Sequence, residues 1–171
     1  MGTVISSASI SSLKPIFKVT DFTASTGVTT NDLTGSIIVP ANTVTVPPAG
    51  NVVEITARAV KTGTNGTVTI RVYANTTNSL SGATLLASSP AAAAANLYVQ
   101  LSRTAFIGKS PVGTKILQAG GQAYSDDTAF TGAEATAAVD WTVDQYIILA
   151  VQNGSTLDST IGSGILFKLY K

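Results

Sequence analysis

The sequence contains no cysteine and no histidine among its 171 residues. Without cysteine the chain has no disulfides, no thiolate nucleophile and no cysteine-based zinc site. Without histidine it lacks the commonest general base and the commonest ligand of transition metals. Together these absences exclude Ser-His-Asp and Cys-His catalysis, and they predict a non-enzymatic protein with no cofactor and no metal site.

Charge is scarce as well. Ten Lys and Arg residues stand against nine Asp and Glu, for a formal net charge of +1, and charged residues make up 11% of the chain. Soluble domains usually carry roughly 25%. The few charges are scattered, so no basic stripe can neutralise a phosphate backbone, and we expect no nucleic-acid partner. A surface of hydroxyls and methyls with so little charge tolerates burial against neighbours, which predicts self-association.

Long apolar segments are also missing. No run of about 18 apolar residues occurs, and the segment YIILAV at 146–151 is far too short to cross a bilayer as a helix. The first 20 residues show neither a charged n-region nor a sustained apolar stretch, so we expect neither a signal peptide nor a membrane partner. Residues 1–13 are either an arm that lies on a neighbour or a frayed terminus, and 14–171 are predicted to form a single domain.

What the chain does have is period-two patterning. In 53–59 and again in 68–74, apolar side chains alternate with polar ones, as in a half-buried strand. Arg71 and Tyr73 are predicted to lie on the outer face of the second strand. The predicted inner positions are Val53, Ile55, Ala57 and Ala59 in the first strand and Val68, Ile70, Val72 and Ala74 in the second. Asn65 and Gly66 lie between the two segments, and both residue types tolerate positive φ. The pattern therefore predicts an antiparallel hairpin.

Further strands are predicted wherever short apolar segments are separated by Gly, Pro, Asn and Ser. These segments are 14–20, 35–39, 42–46, 83–88, 96–103, 114–119, 144–153 and 164–170. Many short strands with frequent turn signals favour an all-β fold, and we predict an antiparallel β-sandwich of jelly-roll-like type. The segment 146–151 is apolar on both faces and is predicted to be a central strand. Residues 21–34 and 120–142 are predicted to be long loops, and 90–96 a connector.

Two groups of polar residues suggest chemistry. Asp126 and Asp127 are adjacent carboxylates that could hold Ca²⁺ only if the chain bends sharply there, because successive strand residues point to opposite faces. We interpret them as loop residues. The other candidate carboxylates are interpreted as structural or solvated, with acid–base catalysis or Ca²⁺ binding as the alternative: Glu134, Asp140, Asp144 and Asp158. The Asn-x-Ser/Thr sequences at Asn65, Asn75 and Asn153 are attributed to turn chemistry rather than glycosylation.

Aromatic residues are few, and four of them are candidates for contact with a partner or a glycan: Tyr73, Tyr98, Tyr124 and Trp141. Their flat faces can stack on pyranose rings. Packing in the core or in a protein interface is the alternative for each of them.

Three segments stand out within roughly residues 50 to 171: IRVYANTTNSLSGATLLASSP, NLYVQLSRTAFIGKS and VDWTVDQYIILAVQNGSTLDSTIGSGILFKLYK. Together they resemble small structural proteins of tailed bacteriophages. Within the first segment, Asn75 and Gly82 look like turn residues, and Leu80, Leu85 and Leu86 look like core residues.

The resemblance implies a jelly-roll or related sandwich that is repeated on a virus particle and has no catalytic activity. The leading hypothesis is a virion protein that decorates the capsid or forms a head fibre, associates as a homotrimer and binds other virion proteins. The alternatives are a tail or baseplate component that contacts the host, or a carbohydrate-binding module with a host glycan as ligand.

Overall fold

The structure is a computed structural model that describes residues 15–44, 51–107 and 139–170. These residues form nine β-strands and no helix. The strands are β1 (Ile16–Lys18), β2 (Ala24–Thr26), β3 (Asp32–Val39), β4 (Asn51–Thr62), β5 (Val68–Asn75), β6 (Thr84–Ser88), β7 (Tyr98–Ile107), β8 (Gln145–Asn153) and β9 (Ser159–Tyr170). The prediction of an all-β fold is confirmed.

The strands form two antiparallel sheets that pack face to face. One sheet has the order β1-β9-β4-β7, with β2 pairing β9 beside β1, and the other has the order β3-β8-β5-β6. If β1 and β2 are counted as one interrupted edge strand, every connection except that between β5 and β6 crosses from one sheet to the other. This is the strand order of a jelly roll, an arrangement of eight strands in two Greek keys.

The core lies between the sheets and is formed by alternate residues of the strands. The predicted inner positions of β4 (Val53, Ile55, Ala57, Ala59) and of β5 (Val68, Ile70, Val72, Ala74) are all buried. Burying one face of each strand stabilises the fold by about 25 cal/mol for each Å² of apolar area that is removed from water. The alternation seen in the sequence is therefore confirmed as the inward and outward faces of both strands.

Strand β8 occupies an inner position in its sheet, between β3 and β5. All five residues from Ile147 to Val151 are buried, so both of its faces are covered. Ile147, Leu149 and Val151 face the core, whereas Ile148 and Ala150 lie on the outward face of the sheet. The prediction of a central strand at 146–151 is confirmed.

The predicted hairpin is wrong. Strand β4 pairs with β7 and β9, while β5 pairs with β6 and β8, so the turn at Asn65 and Gly66 links two sheets. Neither residue has positive φ; the left-handed residue of this turn is Gly63, at φ 93°. A Cβ on Gly66 would lie 2.6 Å from backbone atoms of Gly154 and Ser155, so this glycine is required by close packing against the β8–β9 loop.

Several other local predictions are corrected. Residues 21–34 are not one long loop, because they contain β2 and the start of β3. Residues 42–44 form a turn rather than a strand, with Asn42 at φ 59°. Leu86 is buried as predicted, but Leu85 is 37% exposed, because it lies on the outward face of the edge strand β6. Gly82 is confirmed as a turn residue, at φ 72°.

Six other predicted strands are present in the structure, with shifted bounds. Segments 14–20, 35–39, 83–88, 96–103, 144–153 and 164–170 correspond to β1, β3, β6, β7, β8 and β9. Residues 90–96 are a connector, in which Ala92 forms a single bridge to Val68. The proposed arm at 1–13, the strand at 114–119 and most of the loop at 120–142 lie outside the described residues.

Candidate binding face on the four-stranded sheet

The outward face of the β3-β8-β5-β6 sheet carries aromatic, amide and guanidinium groups on neighbouring strands. One row across the sheet consists of Ser36, Ile148, Tyr73 and Leu85, which pair in that order. The row on one side of it contains Ile38, Tyr146 and Asn75, and the row on the other side contains Leu33, Ala150, Arg71 and Ser88. We call this surface the four-stranded face.

A hydrogen-bond network orders the polar side chains of this face. The Arg71 Nη1 atom donates to Asn31 Oδ1 and, at 2.7 Å, to Gln152 Oε1. Asn31 Nδ2 in turn donates to the Tyr73 hydroxyl at 2.9 Å, and Gln152 Nε2 donates to the Thr29 carbonyl at 3.0 Å. The loop between β2 and β3 thus holds the Arg71 and Tyr73 side chains in one arrangement.

The Tyr73 hydroxyl is a neutral donor over a wide pH range. Burial raises the pKa of Tyr73, and the positive charge of Arg71 offsets only part of that effect. Because the hydroxyl oxygen accepts from Asn31, its own proton remains available to an acceptor.

Apolar surface borders the polar network. Ile38 is 46% exposed, and Tyr146 is half-buried beside it across the strand pair. Ile148 and Ala150, between them and Arg71, are completely buried although they face outward. Their burial means that neighbouring groups cover the middle of this face.

The four candidate aromatic residues do not form one platform. Tyr73 lies on the four-stranded face, whereas Tyr98, which is 70% exposed, lies on β7 in the other sheet. Trp141 is only 4% exposed and packs on Phe167 in the core, with ring centroids 5.7 Å apart. Trp141 is therefore a core residue, which was the alternative to contact with a partner or a glycan. Tyr124 lies outside the described residues.

Three of the candidate carboxylates, Asp140, Asp144 and Asp158, are engaged in local structure. Asp144 accepts from the Ala41 backbone N–H at 2.8 Å. Asp140 accepts from the backbone and side chain of Thr142, and these hydrogen bonds lower the pKa of Asp140. Over the described residues, no three His, Cys, Asp or Glu side chains converge as a metal site would require. The pair Asp126 and Asp127, as well as Glu134, lie outside that part of the chain.

Asp158 belongs to a buried ion pair at one end of the sandwich. Its Oδ1 accepts from the backbone and side chain of Asn65, its Oδ2 accepts from Gly66 N at 2.8 Å, and Lys61 Nζ lies 3.5 Å from Oδ2. Burial opposes ionisation, but these hydrogen bonds and the Lys61 charge outweigh it and lower the pKa of Asp158. Lys61 Nζ also donates to Gly66 O and Ala94 O. The pair therefore connects the β4–β5, β6–β7 and β8–β9 loops.

The three Asn-x-Ser/Thr asparagines also serve the fold. Asn65 donates to Asp158, and the Asn75 amide donates to the carbonyls of Ser79 and Ser81 within the β5–β6 loop. Asn153 is buried; its Nδ2 donates to the Ser25 carbonyl, and its Oδ1 accepts from Thr160. The contacts of Asn65 and Asn75 agree with the attribution to turn and loop structure, whereas Asn153 ends strand β8 and its buried amide connects β2 to β9.

Sequence reasoning placed Arg71 and Tyr73 on an outward face, but it missed Asn31, Gln152 and Tyr146. Period-two patterning identifies a face of one strand; it does not say which strands lie beside it or which loop folds over it. The described residues contain no helix long and apolar enough to span a membrane. Comparison with protein families, curated proteins and solved structures finds no match to the chain.

Proposed function

We propose that the chain is a non-enzymatic structural protein of a tailed-bacteriophage virion. In this proposal it decorates the capsid or forms a head fibre, associates as a homotrimer and binds other virion proteins. The observation that carries the proposal is the jelly-roll strand order, an arrangement that viral capsid domains use. The resemblance of residues 50 to 171 to small phage structural proteins adds to it.

Self-association is supported by exposed apolar side chains along the edge of the five-stranded sheet. Phe17 on the edge strand β1 is 62% exposed, and Val19 just beyond it is 79% exposed. Burying such side chains in an interface is favourable by about 25 cal/mol for each Å² of apolar area removed from water. The scarcity of charge leaves little repulsion between copies.

The oligomer is tested by sedimentation at micromolar concentration. We expect a mass of about three times the 17.4 kDa of one chain. Phe17→Lys should shift the protein toward monomer, because it places a charge in the interface. The control is Leu157→Lys, which changes another exposed apolar residue, 77% exposed in the β8–β9 loop, and should leave the mass unchanged. A wild-type protein that sediments as a monomer contradicts this part of the proposal.

The location is tested on particles of the phage that encodes the chain. Peptide mass spectrometry should detect the chain in purified particles, and an antibody label should mark the head. Label on the tail or baseplate would support the host-contacting alternative. Detection in the lysate but not in purified particles would contradict a virion role of either kind.

A further inference from the structure

The four-stranded face carries the positive charge of Arg71, with which no carboxylate of the described residues forms an ion pair. Arg71 and Asp32 are the charged residues of the four strands, and Asp32 pairs with the inward-facing Val151. Among the described residues, no carboxylate oxygen lies within 4.0 Å of the Arg71 guanidinium. Its partners, Asn31 and Gln152, are neutral amides, which orient the guanidinium without cancelling its charge.

The guanidinium also has donors left for a ligand. Arginine presents five N–H donors in a rigid fork that matches a carboxylate, and the network within the described residues uses Nη1. A half-buried cation held in place by amides has already lost most of its side-chain freedom, so binding an anion there costs little further entropy. Charge complementarity therefore favours an anionic group at Arg71.

The side chains in the next two rows of the four-stranded face indicate which kind of anionic ligand fits it. The Tyr73 hydroxyl can donate its proton, and Tyr146 and Ile38, two rows from Arg71, offer partly exposed apolar surface. A simple inorganic anion would use the guanidinium alone. An acidic oligosaccharide can use all of these groups, because its carboxylate pairs with the guanidinium, its hydroxyls both donate and accept hydrogen bonds, and the C–H face of a neighbouring ring packs on aromatic and aliphatic side chains.

We propose that the four-stranded face binds an acidic oligosaccharide, in which at least one pyranose ring bears a carboxylate. Arg71 contacts the carboxylate, Tyr73 donates to a ring hydroxyl or ring oxygen, and the apolar face of a neighbouring ring packs beside Tyr146 and Ile38, two rows from Arg71. Asn31 and Gln152 are positioning residues that hold the guanidinium. This inference rests on the described geometry and does not depend on the virion role.

The test is calorimetric titration of the purified protein with three acidic probes: an oligogalacturonate, a hyaluronate oligosaccharide and a sialylated lactose. Each is paired with its carboxyl-reduced neutral form, and sodium sulfate serves as the anion-only probe. We expect at least one acidic probe to bind, with an affinity that falls as salt is raised, because part of the interaction is between charges. Its neutral form should bind at least about 10-fold more weakly, as for the loss of one charge-assisted hydrogen bond.

Arg71→Gln should lower the affinity for that probe by about 10–100-fold. The matched control is Arg58→Gln, the same change at an exposed arginine on the outward face of the other sheet, and it should leave the affinity unchanged. If Arg71→Gln fails to fold, Asn31→Ala in the β2–β3 loop replaces it. That variant frees Arg71 and Tyr73 from one partner and should also weaken binding.

Four results overturn the inference: no binding of any acidic probe, equal binding of a neutral form, equal binding of sulfate (an adventitious ion only), or equal losses in Arg58→Gln and Arg71→Gln. A change of oligomeric mass in Arg71→Gln without any saccharide binding would instead identify the face as an interface between copies. Because detection of the chain in particles does not use this face, a failure here leaves the virion proposal to its own test.

Discussion

Replacing Lys61 by methionine tests whether the buried ion pair holds one end of the sandwich together. Lys61 is 1% exposed, and its Nζ donates to Gly66 O at 2.5 Å and to Ala94 O at 2.7 Å, beside Asp158. Methionine keeps a long apolar stem but has no donor and no charge. The substitution therefore leaves a buried carboxylate without its cation and two carbonyl groups without a donor.

Removing one partner of a buried ion pair costs about 3–5 kcal/mol, so we expect Lys61→Met to lower the free energy of unfolding by about that amount. In a domain of this size, 1 kcal/mol moves the thermal midpoint by roughly 2–4 °C, which gives a decrease of about 6–20 °C. Urea and thermal unfolding can be followed by the fluorescence of Trp141, the single tryptophan of the chain, which is buried against Phe167.

Two controls separate this effect from a general effect of losing a lysine. Lys168 forms a partly exposed pair with Glu54, at 3.6 Å, so Lys168→Met should leave the midpoint close to that of the wild type. The double variant Lys61→Met with Asp158→Leu should be more stable than the sum of the two single effects predicts, because it leaves neither charge unpaired. A loss in Lys61→Met no larger than that in Lys168→Met, or strictly additive single effects, would refute the reasoning.

Three further predictions concern packing and pH. Gly66→Ala should destabilise by about 1–3 kcal/mol, since its Cβ would meet the β8–β9 backbone, whereas Gly164→Ala, with its nearest atom at 3.7 Å, should be tolerated; equal melting temperatures would contradict this. The pKa of Asp158 is lower in the folded than in the unfolded chain, so its stabilisation is present above about pH 4 and is lost as pH falls through the folded-state value. Asp158→Asn should therefore flatten the acid limb of a stability–pH curve, and an unchanged limb would disprove it. Trp141→Ala should cost about 3–5 kcal/mol in urea unfolding, against within about 0.5 kcal/mol for the exposed Tyr98→Ala.

The amino-acid sequence alone determined the class of the fold and the faces of its main strands. Alternation in 53–59 and 68–74 identified the buried positions, because a strand that packs on one side must present every second side chain to the core. The segment 146–151 is apolar on both faces, which predicts a central strand that is covered on both sides. The absence of histidine and cysteine excluded whole classes of catalysis without any coordinates.

Only the tertiary structure decided which strands are neighbours. The turn at Asn65 and Gly66 has hairpin composition, yet it joins two sheets, because β7 and β9 pair along both edges of β4 and leave no edge for β5. Gly66 is needed where two loops meet, and Lys61 is buried because Asp158, 97 positions further along the chain, comes to lie beside it.

The candidate face depends on the same kind of long-range contact. Asn31 reaches Tyr73 across 42 positions and Gln152 reaches Arg71 across 81, and no local pattern encodes either meeting. Local sequence specifies which side of a strand is polar, because successive side chains point to opposite faces and only one face is buried in the core. The partners of that polar side follow from strand order, which is set by the packing of the whole chain.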